Sequence, residues 1–132
     1  MFGEELAARF TDPAASPTLF VNISNIGWFG NTIAIDQHLN ISRMRAIEFE
    51  RPMIRSTNTG ATAIIDHRGQ VTHSLARHTR GVLVGAVEGR SGVTPYAWWV
   101  SRFGLWPLWG FCLVIVGFAA MRRRKESSAR LL

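Results

Sequence analysis

Apolar and polar positions alternate between Leu19 and Ser24. Leu19, Val21 and Ile23 fall on one side, Phe20, Asn22 and Ser24 on the other, and this period of two predicts a strand. Before it, Phe2 to Phe10 carries Leu6, Ala7 and Phe10 at helical spacing and predicts a short helix, broken by Asp12-Pro13 and Ser16-Pro17. Asp36 to Glu50 predicts a longer helix with Asp36 as N-cap. Its apolar residues spread around the wheel, as expected of a helix packed on more than one side, and Pro52 ends it. Met53 to Thr57 predicts a second strand. Ala61 to Asp66 and Gln70 to Leu75 predict a hairpin around Asp66-His-Arg-Gly69, with Asp first and Gly fourth as a type I turn prefers. Gly81 to Val87, with Val82, Val84 and Ala86 alternating, predicts a fifth strand.

The pattern then changes. Leu105 to Met121 holds no charge. As a helix it rises roughly 25 Å, inside the lower limit for crossing a hydrocarbon core. Trp98, Trp99, Phe103, Trp106 and Trp109 crowd one end, as an interfacial aromatic belt does, and Arg122-Arg-Arg-Lys125 closes the other. The expected layout is an α/β unit over residues 1–90, a juxtamembrane linker over 91–104, a transmembrane helix over 105–121 and a basic tail over 122–132. The cationic block puts the C-terminus in the cytoplasm and residues 1 to about 103 outside. Met1-Phe-Gly-Glu-Glu lacks the features of a signal peptide. Either the C-terminal helix directs insertion, or the chain is a piece of a longer polypeptide.

Net charge is +6, and residues 105–132 supply most of it, with five cations against one acid. That distribution fits anionic headgroups beside the span and argues against a nucleic-acid surface. The single cysteine, Cys112, lies in the apolar run, where desolvation keeps a thiol unreactive; an internal disulfide is excluded. No phosphate-cradling glycine loop, nucleophile elbow or HExxH motif is present, and no cofactor is expected. His38, Glu48, Asp66, His67, His73 and His78 are the candidate bases, and none has metal-ligand spacing to another. Arg45 and Glu48, three apart on one helix, form either a surface ion network or a buried pair orienting a site loop. Trp28 and Phe29, between Gly27 and Gly30, either line a pocket or plug the core edge. Five strands and two short helices make an incomplete sandwich, with an apolar face over Ala61 to Val87 that another piece of protein would have to cover.

Four segments in order carry a resemblance. Asn22-Ile-Ser-Asn-Ile-Gly-Trp-Phe-Gly30, Gln37-His-Leu, Arg43-Met-Arg-Ala-Ile-Glu48 and Arg51-Pro-Met-Ile-Arg-Ser-Thr-Asn58-Thr-Gly60 resemble the nitrilase-type domain of the apolipoprotein N-acyltransferases. Gly92-Val-Thr-Pro-Tyr96 and Gly104-Leu-Trp-Pro-Leu-Trp109 resemble that family's C-terminal end. The resemblance implies a partial αββα sandwich followed by one C-terminal transmembrane helix in a bacterial inner membrane, with the domain on the periplasmic face. It implies acyl transfer from a phospholipid donor to the amine of a lipoprotein's diacylglyceryl-cysteine, through a thioester formed by a Glu-Lys-Cys triad. No residue here matches that triad, so no catalytic residue is expected in this chain, which alone would be inactive. Partners are then membrane lipids and the missing N-terminal part of the enzyme. The residues carried over are Asn25, Trp28 and Phe29 as pocket lining, and Arg45 with Glu48 as supports. Ile26 stands where the family usually has Asp. A non-catalytic membrane-anchored binding module, or the partner of a split enzyme, is the alternative; a soluble amidase is a third reading.

Overall fold

The computed structural model describes residues 3–129, with side chains through Arg122. Helix α1 (Gly3–Ala7) runs into single 3-10 turns at Ala8–Phe10 and Pro13–Ala15, the second capped by Asp12, whose carboxylate accepts from the Ala14 amide at 2.9 Å. Strand β1 (Phe20–Ser24) leads through a third turn, Gly27–Phe29, into α2 (Ala34–Phe49). Strands β2 (Met53–Thr57), β3 (Ala63–Ile65) and β4 (Val71–Ser74) follow, then α3 (Pro95–Phe103) and α4 (Trp106–Ala129).

The sheet has the order β1-β2-β3-β4. Strands β1 and β2 are parallel, joined by the α2 crossover, and the other two neighbours are antiparallel. Phe20, Met53 and Ile65 stand in one row across the sheet, all buried, on the face that α2 covers. Phe10 and Phe49 stack above them with centroids 4.9 Å apart, and Phe20 meets both edge-on. Burying rings of this size contributes roughly 1.5–3 kcal/mol each. Ala7, Ala46 and Ala97 complete this core, so α1, α2 and α3 all share it.

Two expectations change. Asp36 is not the cap of α2: the helix begins at Ala34, and Asp36 lies in its first turn, where a carboxylate favours the helix dipole and pairs with Arg77. Gly81 to Val87 forms no strand. Gly85 instead lies against Ile64 and His73, which are cross-strand partners on the outer face; a Cβ there would sit 2.6 Å from Ile64 Cδ1. The segment crosses that face and leaves Val82 and Val84 exposed. Residues 91–104 contain α3, whose Ala97 is fully buried in the core.

The chain divides after Arg102 into two compact units. Among the described residues no single helix is long and apolar enough to cross a membrane. Pro95–Phe103 and Trp106–Arg122 meet the length and composition together, across the break between them. The uncharged stretch of α4 is short.

Candidate active-site edge

A parallel pair with a crossover helix gathers its connecting loops at the carboxyl ends of the strands, where open α/β sheets bind their ligands. Here that edge is built from the loops after β1 and β2. Asn58 joins them: its Oδ1 accepts from the Ile26 amide at 3.1 Å, and its Nδ2 donates to Asn25 Oδ1 at 2.7 Å. Asn25 Oδ1 also accepts from the Gly27 amide, which starts the turn. Thr62 Oγ1 closes the second loop by accepting from the Thr57 amide and donating to the Thr57 carbonyl, both at 3.1 Å. Ile23, Ser24, Asn25, Ser56, Thr57 and Asn58 line an open hollow at this edge.

The turn directs its neighbours in opposite directions. Ile26 is 1% exposed and packs with Ile35 and Ala61. It lies so close to Gly60 that a Cβ on that glycine would fall 2.0 Å from Ile26 Cδ1. Ile26 is therefore an apolar plug. Trp28 is 80% exposed, so it does not plug the core edge, whereas Phe29 leans on His38 with centroids 5.3 Å apart.

Beneath the edge, Arg55 is buried between sheet and α2. Its guanidinium donates to Ser42 Oγ at 2.6 Å, to the His38 carbonyl at 3.0 Å and to the Ala61 carbonyl at 3.2 Å. Burial holds its pKa below the usual arginine value. Arg55 Nη2, Asn22 Oδ1 and Ser24 Oγ are buried without a hydrogen-bond partner among the described residues.

Arg45 and Glu48 pair farther along α2, toward its C-terminal end. Both are mostly buried, at 15% and 23% side-chain exposure. Arg45 Nη1 and Tyr96 Oη press against Gly3, and the Glu48 carbonyl accepts from Thr94 Oγ1 at 2.7 Å, so the pair ties α1 and the start of α3 to α2. Burial raises the Glu48 pKa above its ordinary value, and Arg45 opposes part of that rise. Among the described residues no hydrogen bond or ion pair joins this pair to Asn25, Trp28 or Phe29.

The other candidate bases stay apart. Asp66 closes its own hairpin turn, accepting from the amides of Arg68 and Gln70. His73 is exposed on the outer sheet face, and His78 holds a left-handed backbone. No group of three His, Cys, Asp or Glu converges among the described residues. Sequence reading gave Asn22, Arg55 and Asn58 no role, although the segments Asn22 to Gly30 and Arg51 to Gly60 that carry the resemblance contain them.

One sheet, helices on one face, and loops gathered at the end of a parallel pair define a layered α/β protein. A family model for carbon-nitrogen hydrolases matches residues 9–96, and the chain belongs to that family. It is 76% identical over 112 residues to a protein of Verminephrobacter eiseniae named apolipoprotein N-acyltransferase, a match covering 80% of this chain and 21% of that relative. Proteins of the same name from Ralstonia nicotianae and Bordetella bronchiseptica are 44% identical over 129 residues and 46% over 128; the matches cover 98% and 95% of this chain, and 24% and 23% of the relatives. The chain thus spans between a fifth and a quarter of the length of these curated relatives.

Proposed function

We propose that this chain is the C-terminal portion of a lipoprotein N-acyltransferase, comprising part of its nitrilase-type domain and its last membrane segment. The whole enzyme would transfer an acyl chain from a phospholipid to the N-terminal amine of a diacylglyceryl-cysteine lipoprotein. The observation that carries this reading is the 76% identity over 112 residues to the Verminephrobacter protein of that name.

The division of labour follows from chemistry. A thioester mechanism needs an activated thiol. Cys112 is the chain's only cysteine and belongs to α4. The nucleophile, its base and the charge-stabilising lysine would come from the remainder of the enzyme. This chain would supply the loop edge, with Asn25, Trp28 and Phe29 lining the acyl pocket and Asn58 holding their turn. Arg45 and Glu48 would support α1. The β1 side of the outer sheet face, where Val21 and Ile23 are 59% and 83% exposed, would receive the other half of the sandwich.

Leu105 to Met121 would cross the membrane. A span this short is accommodated by local thinning and by flanking arginines that reach for the headgroups. The basic block at Arg122 to Lys125 would stay cytoplasmic, leaving the folded unit on the periplasmic face.

The test pairs two samples. The purified chain alone, incubated with labelled phospholipid, yields no hydroxylamine-sensitive acyl adduct. The chain co-expressed with the remainder of the Verminephrobacter enzyme, divided at the matching boundary, yields one. An adduct on the chain alone, or none in the reconstituted pair despite complex formation, overturns the proposal.

A further inference from the structure

The loop edge has a third contributor. Asn22, Arg55, Ala63 and Ser74 stand in one row across the sheet, and β4 runs in the same direction as β1 and β2. The chain therefore leaves β4 at the same end of the sheet as it leaves β1 and β2. The Leu75 amide donates to the Thr62 carbonyl, in the loop after β2, at 3.0 Å. Two residues later the Arg77 guanidinium donates to the Asp36 carboxylate, on the first turn of α2. Residues 75–77 thus pass from the sheet layer to the helix layer across this edge.

Asp36 follows the turn that carries Trp28 and Phe29. In sequence it falls between Thr32, whose hydroxyl donates to the Phe29 carbonyl at 2.8 Å, and His38, whose ring leans on Phe29. Among the described residues no other hydrogen bond or ion pair ties residues 76–89 to another element. Stretches this long without regular structure, inside a folded unit, are commonly walls or covers of binding sites. Both partners are well solvated, at 39% and 48% side-chain exposure. The pair is therefore a weak, salt-screened tether that adds little to the stability of the fold.

We propose that Asp36 and Arg77 are a positioning pair for the acyl donor: their ion pair holds the connection 75–80 against the start of α2, where it forms one side of the pocket that Trp28 and Phe29 line. The inference rests on the reading of this edge as the acyl pocket of an N-acyltransferase. The pair touches no reacting atom. It acts through the wall, so it governs how firmly the donor is held and leaves the chemical step alone. Loss of such an interaction raises KM and spares kcat.

The test uses the chain co-expressed with the remainder of the Verminephrobacter enzyme. The complex is assayed in neutral detergent with labelled phosphatidylethanolamine and a diacylglyceryl-cysteine peptide. This donor is zwitterionic, so added salt acts chiefly on the protein's own charges. Asp36→Asn and Arg77→Ala are each expected to raise the KM for phospholipid about threefold, with kcat within about twofold of the parent. The double variant is no worse than either single one, since both remove the same interaction. Arg77→Lys keeps the charge and stays near the parent. In about 1 M salt the parent's KM rises to that of the variants. Far-UV circular dichroism checks that every variant remains folded. An unchanged KM in the single variants overturns the inference. So do effects that add in the double variant, and so does a fall in kcat at constant KM. A parent complex that assembles but transfers no acyl chain removes the functional reading and this inference with it.

Discussion

At the scale of single residues, the tightest coupling in the loop edge is between Ile26 and Gly60. Ile26 fills the space a side chain at position 60 would need, and its own burial leaves it little room to move. Gly60→Ala therefore destabilises the fold by about 1–3 kcal/mol, the usual range for overpacking. Ile26→Val alone costs about 1 kcal/mol for the lost methyl group. Combined, the two cost less than their sum, since each relieves the other. Urea midpoints in detergent for the two single variants and the double variant check this; strict additivity would refute the contact. Arg55 shows a different lesson. Its position in an alternating strand indicates which face it occupies but gives no hint that the face is a buried one, because nothing local announces the Ser42 hydroxyl and the His38 carbonyl waiting on α2.

At the scale of elements, Arg51 fastens three segments where α2 ends. Its guanidinium donates to the carbonyls of Phe49 and Glu50 in the terminal turn, to Pro17 ahead of β1, and to Gly92 ahead of α3. It also lies over the Phe10 ring, 5.2 Å from the centroid. Burial lowers its pKa, with Glu50 opposing and Arg90 reinforcing the shift, yet arginine stays charged across any practical pH. Lysine cannot reproduce this planar fork, so Arg51→Lys lowers unfolding stability by about 2–3 kcal/mol, read from urea denaturation at unchanged m-value. The elements themselves were largely legible. Strand β2 falls on its predicted bounds, Met53–Thr57, and β1 and the hairpin lie within theirs. The facing of β1 was not legible, because both its sets of alternate residues contain large apolar groups. The more polar set, Phe20, Asn22 and Ser24, turns to the helix, where Phe20 meets Phe10 and Phe49. The predicted fifth strand failed for want of a partner: alternation marks a pleated surface but does not supply an edge to pair with. The Asn25–Asn58 clasp was hidden because its halves lie 33 positions apart.

At the scale of the molecule, a sheet with helices on one face presents its other face to whatever completes the fold. Ile23 belongs to that outer face and touches none of the inner core. Ile23→Asp should change the chain's own stability by no more than about 0.5 kcal/mol. It should nonetheless weaken co-purification with the remainder of the enzyme by roughly tenfold or more, since a buried carboxylate would then lack a partner. Unaltered co-purification would show that the other half docks elsewhere. Under the proposed function, the helix break after α3 would bear on how the chain enters lipid. Gly104 takes a backbone angle of φ 52°, one that side-chain-bearing residues rarely hold, and a fresh helix begins beyond it. Every helix start exposes amides with no upstream carbonyl, and hydrocarbon holds no water to satisfy them. Pro107 has no amide to satisfy, and the Leu105 carbonyl takes those of Leu108 and Trp109 at 3.1 and 3.2 Å. The first turn of α4 is thus already poor in dangling donors, which, under the proposed function, would let a helix begin at the boundary of the acyl region instead of in bulk solvent.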